Sequence, residues 1–285
     1  MSVAIVTDST CCLPMELIQQ YNIHIVPLLI NYRDTSYKDG VDISANEVYK
    51  IMRRREDLPT TSTPPPTDFM NLFREIGKKN KNIVCITVTG LQSKVYEAAL
   101  LAKDMTMEES PEINIEVFDS RAVSGAMGFI VLAAARRAAE GADINEVLSA
   151  ARDMQGRINF LAVVDTLYFL ARTGRVARAA AWATSLLDIK PVLEHNPAIG
   201  ETTPFARPRT RHKAVDTMLK EMRKRVGNKK VHVIVHHADE LLACRELKDK
   251  IQNEYDCAEI YMTEFTPIMG VHAGTGILAI SFYTD

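Results

Sequence analysis

Met1-Ser2-Val3-Ala4-Ile5-Val6-Thr7-Asp8-Ser9-Thr10 opens the chain. An unbroken apolar run, Val3 to Val6, ends on a polar Thr-Asp-Ser-Thr tetrad. Such a run reads as a strand buried on both faces, the pattern of a parallel sheet. A parallel neighbour requires a crossover, and residues 14–21 supply a short helix before a second strand at 25–31. Residues 44–55 open on a capping box, Ser44 with Glu47, and place Val48 and Ile51 at helical spacing. Strands at 83–88 and 115–119 alternate with helices at 96–105 and 124–140. Alternation of this kind predicts βαβ units and a mainly parallel sheet flanked by helices.

The rhythm changes near Gly156. Short strands at 160–164, 189–194 and 203–205 follow, with a helical hairpin from 166 through Arg175. A helix at 210–226, a strand at 231–236, a helix at 239–254 and strands at 259–265 and 275–284 complete the chain. The fold class expected is α/β in two domains. The N-terminal one, 1–156, carries the parallel sheet; the C-terminal one, 157–285, is α+β with a mixed sheet.

Composition narrows the function. Hydrophobic residues make up 47% of 285 and charged ones 25%, as in an ordinary soluble protein. Basic and acidic residues nearly cancel, 34 against 36, so no global nucleic-acid footprint exists. The first residues show no secretory signal, and the apolar stretch at 129–135 is too short to span a bilayer. The odd set of cysteines, at 11, 12, 85, 244 and 257, points to reduced thiols in a cytoplasm. No Gly-x-Gly-x-x-Gly or P-loop is present, and no metal ligand set is evident.

Candidate binding residues cluster in a few places. Thr60-Thr61-Ser62-Thr63 runs into Pro64-Pro65-Pro66, so a row of neutral donors sits on a stiff backbone suited to an anion. Thr67 or Asp68 is placed to cap the helix that follows. An ordinary Ser/Thr/Pro loop is the plain alternative. Asp8-Ser9 and Asp119-Ser120 end parallel strands, where ligands gather, and serve equally as helix caps. Ser93 precedes a helix whose backbone N–H groups suit an anion, or simply caps it. His272 lies between glycines that let a ligand approach, with an imidazole able to donate to a carboxylate. His232, His236 and His237 are poorly placed to share a metal. Basic stretches at 172–178, including Arg175 and Arg178, and at 207–213, including Arg207 and Arg209, are either solvated surface or a dock for an acidic partner.

These pieces together resemble the DegV family of bacterial fatty-acid-binding proteins along nearly the whole chain. The resemblance is carried by Val6-Thr7-Asp8-Ser9-Thr10, Thr61-Ser62-Thr63-Pro64, Ser93 with Tyr96, and Asp119-Ser120. It continues through Asp165-Thr166-Leu167-Tyr168-Phe169-Leu170, Gly174-Arg175-Val176, Ile189-Lys190-Pro191, Arg209-Thr210-Arg211 and His272-Ala273-Gly274-Thr275-Gly276. The order of these motifs makes the likeness.

What the resemblance implies is a non-catalytic carrier that buries one long-chain fatty acid between two domains. Thr61, Ser62, Ser93 and His272 would hold the carboxylate, with no cofactor and no metal. Arg175, Arg207 and Arg209 would meet a separate fatty acid kinase, dihydroxyacetone-kinase-like, that phosphorylates the acid for phospholipid synthesis. Transient membrane contact fits such a carrier, and nucleic acid does not. The tail would need an apolar tunnel, lined from the first domain by residues such as Ile30, Phe129 or Leu132. The alternative is an enzyme acting on a small carboxylated or phosphorylated metabolite. Three departures from the family pattern stand out: Thr63 where glutamine is usual, Lys94 where glycine is usual, and Thr275 where proline is usual.

Overall fold

The computed structural model describes residues 2–176 and 189–285. Strand β1 (Val3–Asp8) is buried along its whole length, as its apolar run requires. It pairs in parallel with β2 (His24–Val26) and with β6 (Asn82–Thr87), and β6 pairs in parallel with β7 (Asn114–Asp119). The order is β2-β1-β6-β7. Helices α3 (Pro66–Gly77) and α4 (Val95–Glu109) pack together against this sheet. Helices α5 (Ser124–Ala139) and α6 (Ile144–Gln155) form a second packed pair over β1 and β6. A parallel sheet needs both faces covered, and these pairs provide the cover.

The strand expected at 25–31 is divided. Pro27 lacks the N–H that would continue the ladder, so β2 stops at Val26. The chain then turns into β3 (Leu29–Tyr32), which pairs antiparallel with β4 (Thr35–Lys38) and β5 (Thr60–Ser62) in a small separate sheet. The Leu28 N–H at the break donates to Ser9 Oγ at 3.1 Å. Helix α1 (Met15–Gln20) precedes β2, and α2 (Ala45–Arg54) lies between β4 and β5. The α2 capping box is formed: Glu47 N donates to Ser44 Oγ and Ser44 N to Glu47 Oε2.

The chain passes to a second sheet between Gln155 and Asn159. That sheet has the order β10-β9-β8-β13-β11-β12, from β8 (Asn159–Val163), β9 (Val192–Asn196), β10 (Glu201–Ala206), β11 (Val231–His237), β12 (Cys257–Glu264) and β13 (Leu278–Thr284). It is mixed, because β11 and β12 run parallel and the other pairs antiparallel. Helices α8 (Arg211–Val226) and α9 (Leu241–Glu254) cover one face. Alternation along β8 shows the two-sidedness: Leu161 and Val163 join the core beneath those helices, while Phe160 and Ala162 face the core shared with the first sheet. Arg136 of α5 ties the two parts together through a two-pronged contact with Glu259 of β12, at 3.0 and 2.6 Å.

Among the described residues, two α-helices have no counterpart in the expectations from sequence. Helix α6 opens on its own capping box, Asp143 with Glu146, a signal present in the sequence. The short α10 (Pro267–Ala273) has Pro267 in its first turn, the position proline prefers. Helix α7 (Tyr168–Thr173) closes on Gly174 in the left-handed conformation. The hairpin expected from 166 through Arg175 is thus a single short helix, and Arg178 of the basic stretch lies outside the described residues.

Candidate functional site

A cavity of about 400 Å³ opens between the two sheets. Leu28, Val88 and Val123 wall it from the first part of the chain, and Phe160, Leu193 and Ile277 from the second. Its polar rim gathers Thr61, Ser62, Ser93, Arg175 and His272. Four elements far apart in sequence therefore meet at one mouth.

Thr61 is placed by β5. Strand geometry suits this β-branched run, and β5 adds to β3 with Ile30 opposite Thr61. Arg172 secures the approach to β5, donating to Pro59 O at 3.1 Å and Leu58 O at 3.0 Å. Ser62 also borders the cavity, but it is exposed and its hydroxyl accepts a bond from Asn31 Nδ2 at 3.0 Å. Neither Thr67 nor Asp68 caps α3. Pro65 stands at the cap without a side-chain bond, and Pro66 begins the helix with its missing N–H where none is needed.

His272 occupies the last turn of α10, a helix where glycine-rich loop was expected. That helix is held at its N-terminal end. Ile268 N donates to Asp39 Oδ1 at 2.8 Å, and Tyr49 Oη donates to Phe265 O at 2.8 Å. The glycines around His272 admit protein rather than ligand. A Cβ at Gly270 would stand 2.4 Å from Tyr49 Cε1, and one at Gly276, where φ is +88°, would stand 2.3 Å from Asp165 Oδ2. These approaches fix α10 against α2 and against the loop after β8.

Thr61 Oγ1 and His272 Nε2 lie 3.2 Å apart, within hydrogen-bond reach. Burial, reinforced by the charges of Arg175 and Arg172, pushes the His272 imidazole down to about 3, so it is neutral near pH 7. The pair then owns two hydrogen-bonding protons, one on the hydroxyl and one on the ring. One joins the two side chains and the other remains for an outside acceptor. His272 Nδ1 is buried with no partner among the described residues, so the outward donor is the Thr61 hydroxyl, with the ring proton on Nε2 joining the pair.

Ser93 borders the same rim in the loop before α4, whose cap residue is Lys94 rather than Ser93. Two buried or half-buried aspartates brace that loop. Asp8 accepts from Val88 N at 2.8 Å as well as from Thr10, and Asp119 accepts from Gly90 N at 3.2 Å and Arg121 N at 2.9 Å. Both aspartates at the strand ends thus hold backbone. The Lys94 ammonium, unusual for the family pattern, is taken by Glu97 at 2.7 Å on the exposed side of α4.

Ile30, Phe129 and Leu132 do not line the cavity, which corrects the expectation for the apolar wall. They are buried in the core instead, with Phe129 edge-on to Tyr283 at 4.9 Å. Periodicity identifies buried positions but not which of two packed layers holds a void. The residues missed from sequence, such as Phe160 and Ile277, belong to segments already read as strand, and α10 residues Ile268 and Met269 to a helix that was not. Arg175, expected on a docking surface, borders the cavity beside His272. Arg207 and Arg209 are exposed in the loop between β10 and α8.

Several quoted motifs converge on one ion cluster. Asp165 Oδ1 accepts from Lys190 Nζ and from Arg211 Nη1, each at 3.1 Å, and Arg211 also donates to Gly276 O at 2.8 Å. This cluster clamps the loop that follows α10. Among the described residues no group of His, Cys, Asp and Glu is arranged to hold a metal, and no helix is long and apolar enough to cross a membrane.

Comparison with known proteins agrees with this architecture. A family model described as "Uncharacterised protein, DegV family" matches residues 2–285. A DegV domain-containing protein of Clostridium acetobutylicum is 32% identical over 100% of this chain and 99% of its own. The structure of a DegV family protein from Thermus thermophilus, described by its fatty acid binding, superposes with a TM-score of 0.91 at 28% identity, covering 100% of both chains. A stearic acid-binding protein from Eubacterium ventriosum superposes at 0.89 with 25% identity, covering 99% of this chain and 98% of the other. Whole-length likeness in sequence and in fold leads to one conclusion: this chain belongs to the DegV family.

Proposed function

We propose that this chain is a carrier that encloses one long-chain fatty acid between its N-terminal part, residues 1–156, and its C-terminal part, residues 157–285. The observation that carries the reading is the Thr61–His272 pair bordering a cavity whose walls include Leu28, Val88, Val123, Phe160, Leu193 and Ile277. Its spare proton suits an acceptor, and the cavity volume of about 400 Å³ lies in the range of ligand sites, about 300–1,000 Å³. The relatives described by fatty acid binding favour the same ligand class.

The energetics separate tail from head. Burying a chain of about sixteen carbons gains on the order of 10 kcal/mol, at about 0.8 kcal/mol per methylene. Association costs take back several kcal/mol of that. Hydrogen bonds from Thr61, turned outward by His272, and from Ser93 offset the desolvation of the carboxylate and fix its orientation, with Ser62 at the rim. Arg175, beside His272, adds a positive field at the head group. Solvent extraction of purified protein followed by lipid mass spectrometry tests the reading; stoichiometric long-chain acid is expected, and its absence from protein grown with fatty acid supply would sink it.

The carrier serves a separate fatty acid kinase in the cytoplasm, which phosphorylates the acid at the cavity mouth. The exposed Arg207 and Arg209 form the docking contact for an acidic face of that enzyme. Transient membrane contact delivers and collects the acid. Measuring acyl phosphate formation with R207Q/R209Q carrier tests the docking: a raised KM for loaded carrier is expected, with unchanged fatty acid occupancy.

A further inference from the structure

A second cleft, of about 390 Å³, is lined by the β9 residues Glu194, His195 and Asn196 and shares no lining residue with the acid-binding cavity. It collects charge of one sign. Arg121 borders it from the loop before α5, Arg152 from the last turn of α6, and Arg225 from the end of α8, against a single carboxylate, Glu194. Arg225 is already committed: its guanidinium bonds Glu194 at 2.7 Å, Glu221 at 2.8 Å and Asn159 at 3.1 Å. Glu194 is therefore neutralised where it stands.

Arg121 and Arg152 differ. Both are exposed, and neither guanidinium has an ion-pair or hydrogen-bond partner among the described residues. The nearest other carboxylate on the Arg121 loop, Asp119, spends Oδ1 on the Arg121 and Gly90 backbone N–H groups. The imidazole at the cleft wall adds no charge of its own. His195 Nε2 faces Arg121 O at 2.9 Å and so carries the proton, Nδ1 takes the Thr202 hydroxyl at 2.9 Å, and burial pushes the ring down to about 4. Gln155, the remaining amide beside the arginines, donates to Asp119 O and Ser120 O, which holds the Arg121 loop in place.

Two uncommitted guanidiniums thus share one concave, rigidly backed site. Planar forks with several donors match tetrahedral oxyanions, and two monocations balance one dianion better than a single carboxylate does. We infer that this cleft binds a phosphate dianion or phosphomonoester group between Arg121 and Arg152. The site is separate from the acid-binding cavity and from the Arg207–Arg209 loop.

The test uses the full chain with its native lipid load. Inorganic phosphate is titrated by calorimetry at constant ionic strength, near pH 7.5 where the dianion prevails. In parallel, flotation with phosphatidic acid vesicles is compared with phosphatidylcholine vesicles, to separate free phosphate from a lipid headgroup. Saturable one-site phosphate binding, weakened at least about tenfold in R121Q/R152Q and competed by sulfate but not acetate, is the result expected for a free ligand. Flotation with phosphatidic acid vesicles alone, lost in R121Q/R152Q, assigns the same chemistry to a headgroup. Absence of both, or binding indifferent to the double substitution, overturns the inference. Fatty acid occupancy of R121Q/R152Q, measured in the same samples, shows whether the carrier reading stands or falls independently.

Discussion

Replacing Thr61 by valine removes one oxygen from the rim and leaves the shape of β5 intact. Valine suits a strand at least as well as threonine, and Thr61 lies in a short antiparallel pairing with β3 that needs no side-chain hydroxyl. The loss falls on the proton count. In the wild type, hydroxyl and imidazole share one proton and offer one; without the hydroxyl, His272 Nε2 loses its neighbour at 3.2 Å and the carboxylate loses one donor. A hydrogen bond to a charged acceptor contributes about 1.5–3 kcal/mol, so T61V should bind fatty acid about 10- to 150-fold more weakly. The tail contribution, about 0.8 kcal/mol per methylene, is untouched. The factor should therefore be the same for shorter and longer saturated acids. Displacement of a fluorescent acyl probe by a length series of acids measures it, with delipidated protein and a melting curve as control. Unchanged affinity in a normally folded T61V, or a loss that grows with tail length, would refute the head-group geometry.

Ser93→Ala should weaken acid binding more modestly, by about 1 kcal/mol or fivefold, in the same displacement assay. Gly270→Ala should destabilise the fold by about 1–3 kcal/mol, because the new methyl would stand 2.4 Å from the Tyr49 ring; thermal unfolding and parallel acid binding will show both falling together. Acid should destabilise the protein in a calculable direction. Burial holds His195 at about 4 and His236 and His272 at about 3, against an ordinary 6.5, so the unfolded chain takes up these protons first and stability falls with pH. Asp39, raised by burial to about 6, keeps a proton in the folded state that the unfolded carboxyl releases above 3.8, and Asp8 leans the same way. One to two excess protons remain on the unfolded chain, which gives a loss of about 1.4–2.7 kcal/mol per pH unit between about pH 6 and 4.5. Urea unfolding across that window checks the slope, and a flat profile would mean that these rings are not held neutral.

Much of the architecture was legible residue by residue. The apolar run of β1, the Ser44–Glu47 box and the alternation of strand with helix follow from local rules, because both partners of each interaction lie within a few positions. The same local logic failed at Pro27, where one missing N–H diverts the chain into a new sheet, and at Pro267, where a short helix hides among glycines. The candidate residues Thr61, Ser62, Ser93 and His272 came from hydroxyl-rich and glycine-flanked motifs together with a family likeness, and all four border one cavity.

By itself, the sequence determined most of the element types, the change of rhythm near Gly156 and the family, since these rest on short-range pattern or on the order of motifs along the chain. Tertiary structure alone decided that Thr61 would meet His272 across 211 positions, that Arg175 would turn to the cavity, and that Phe129 would fill core rather than line a void. The reason is physical: burial and periodicity are encoded along the chain, whereas the partner of a side chain and the location of empty space depend on how two separately built sheets pack against each other.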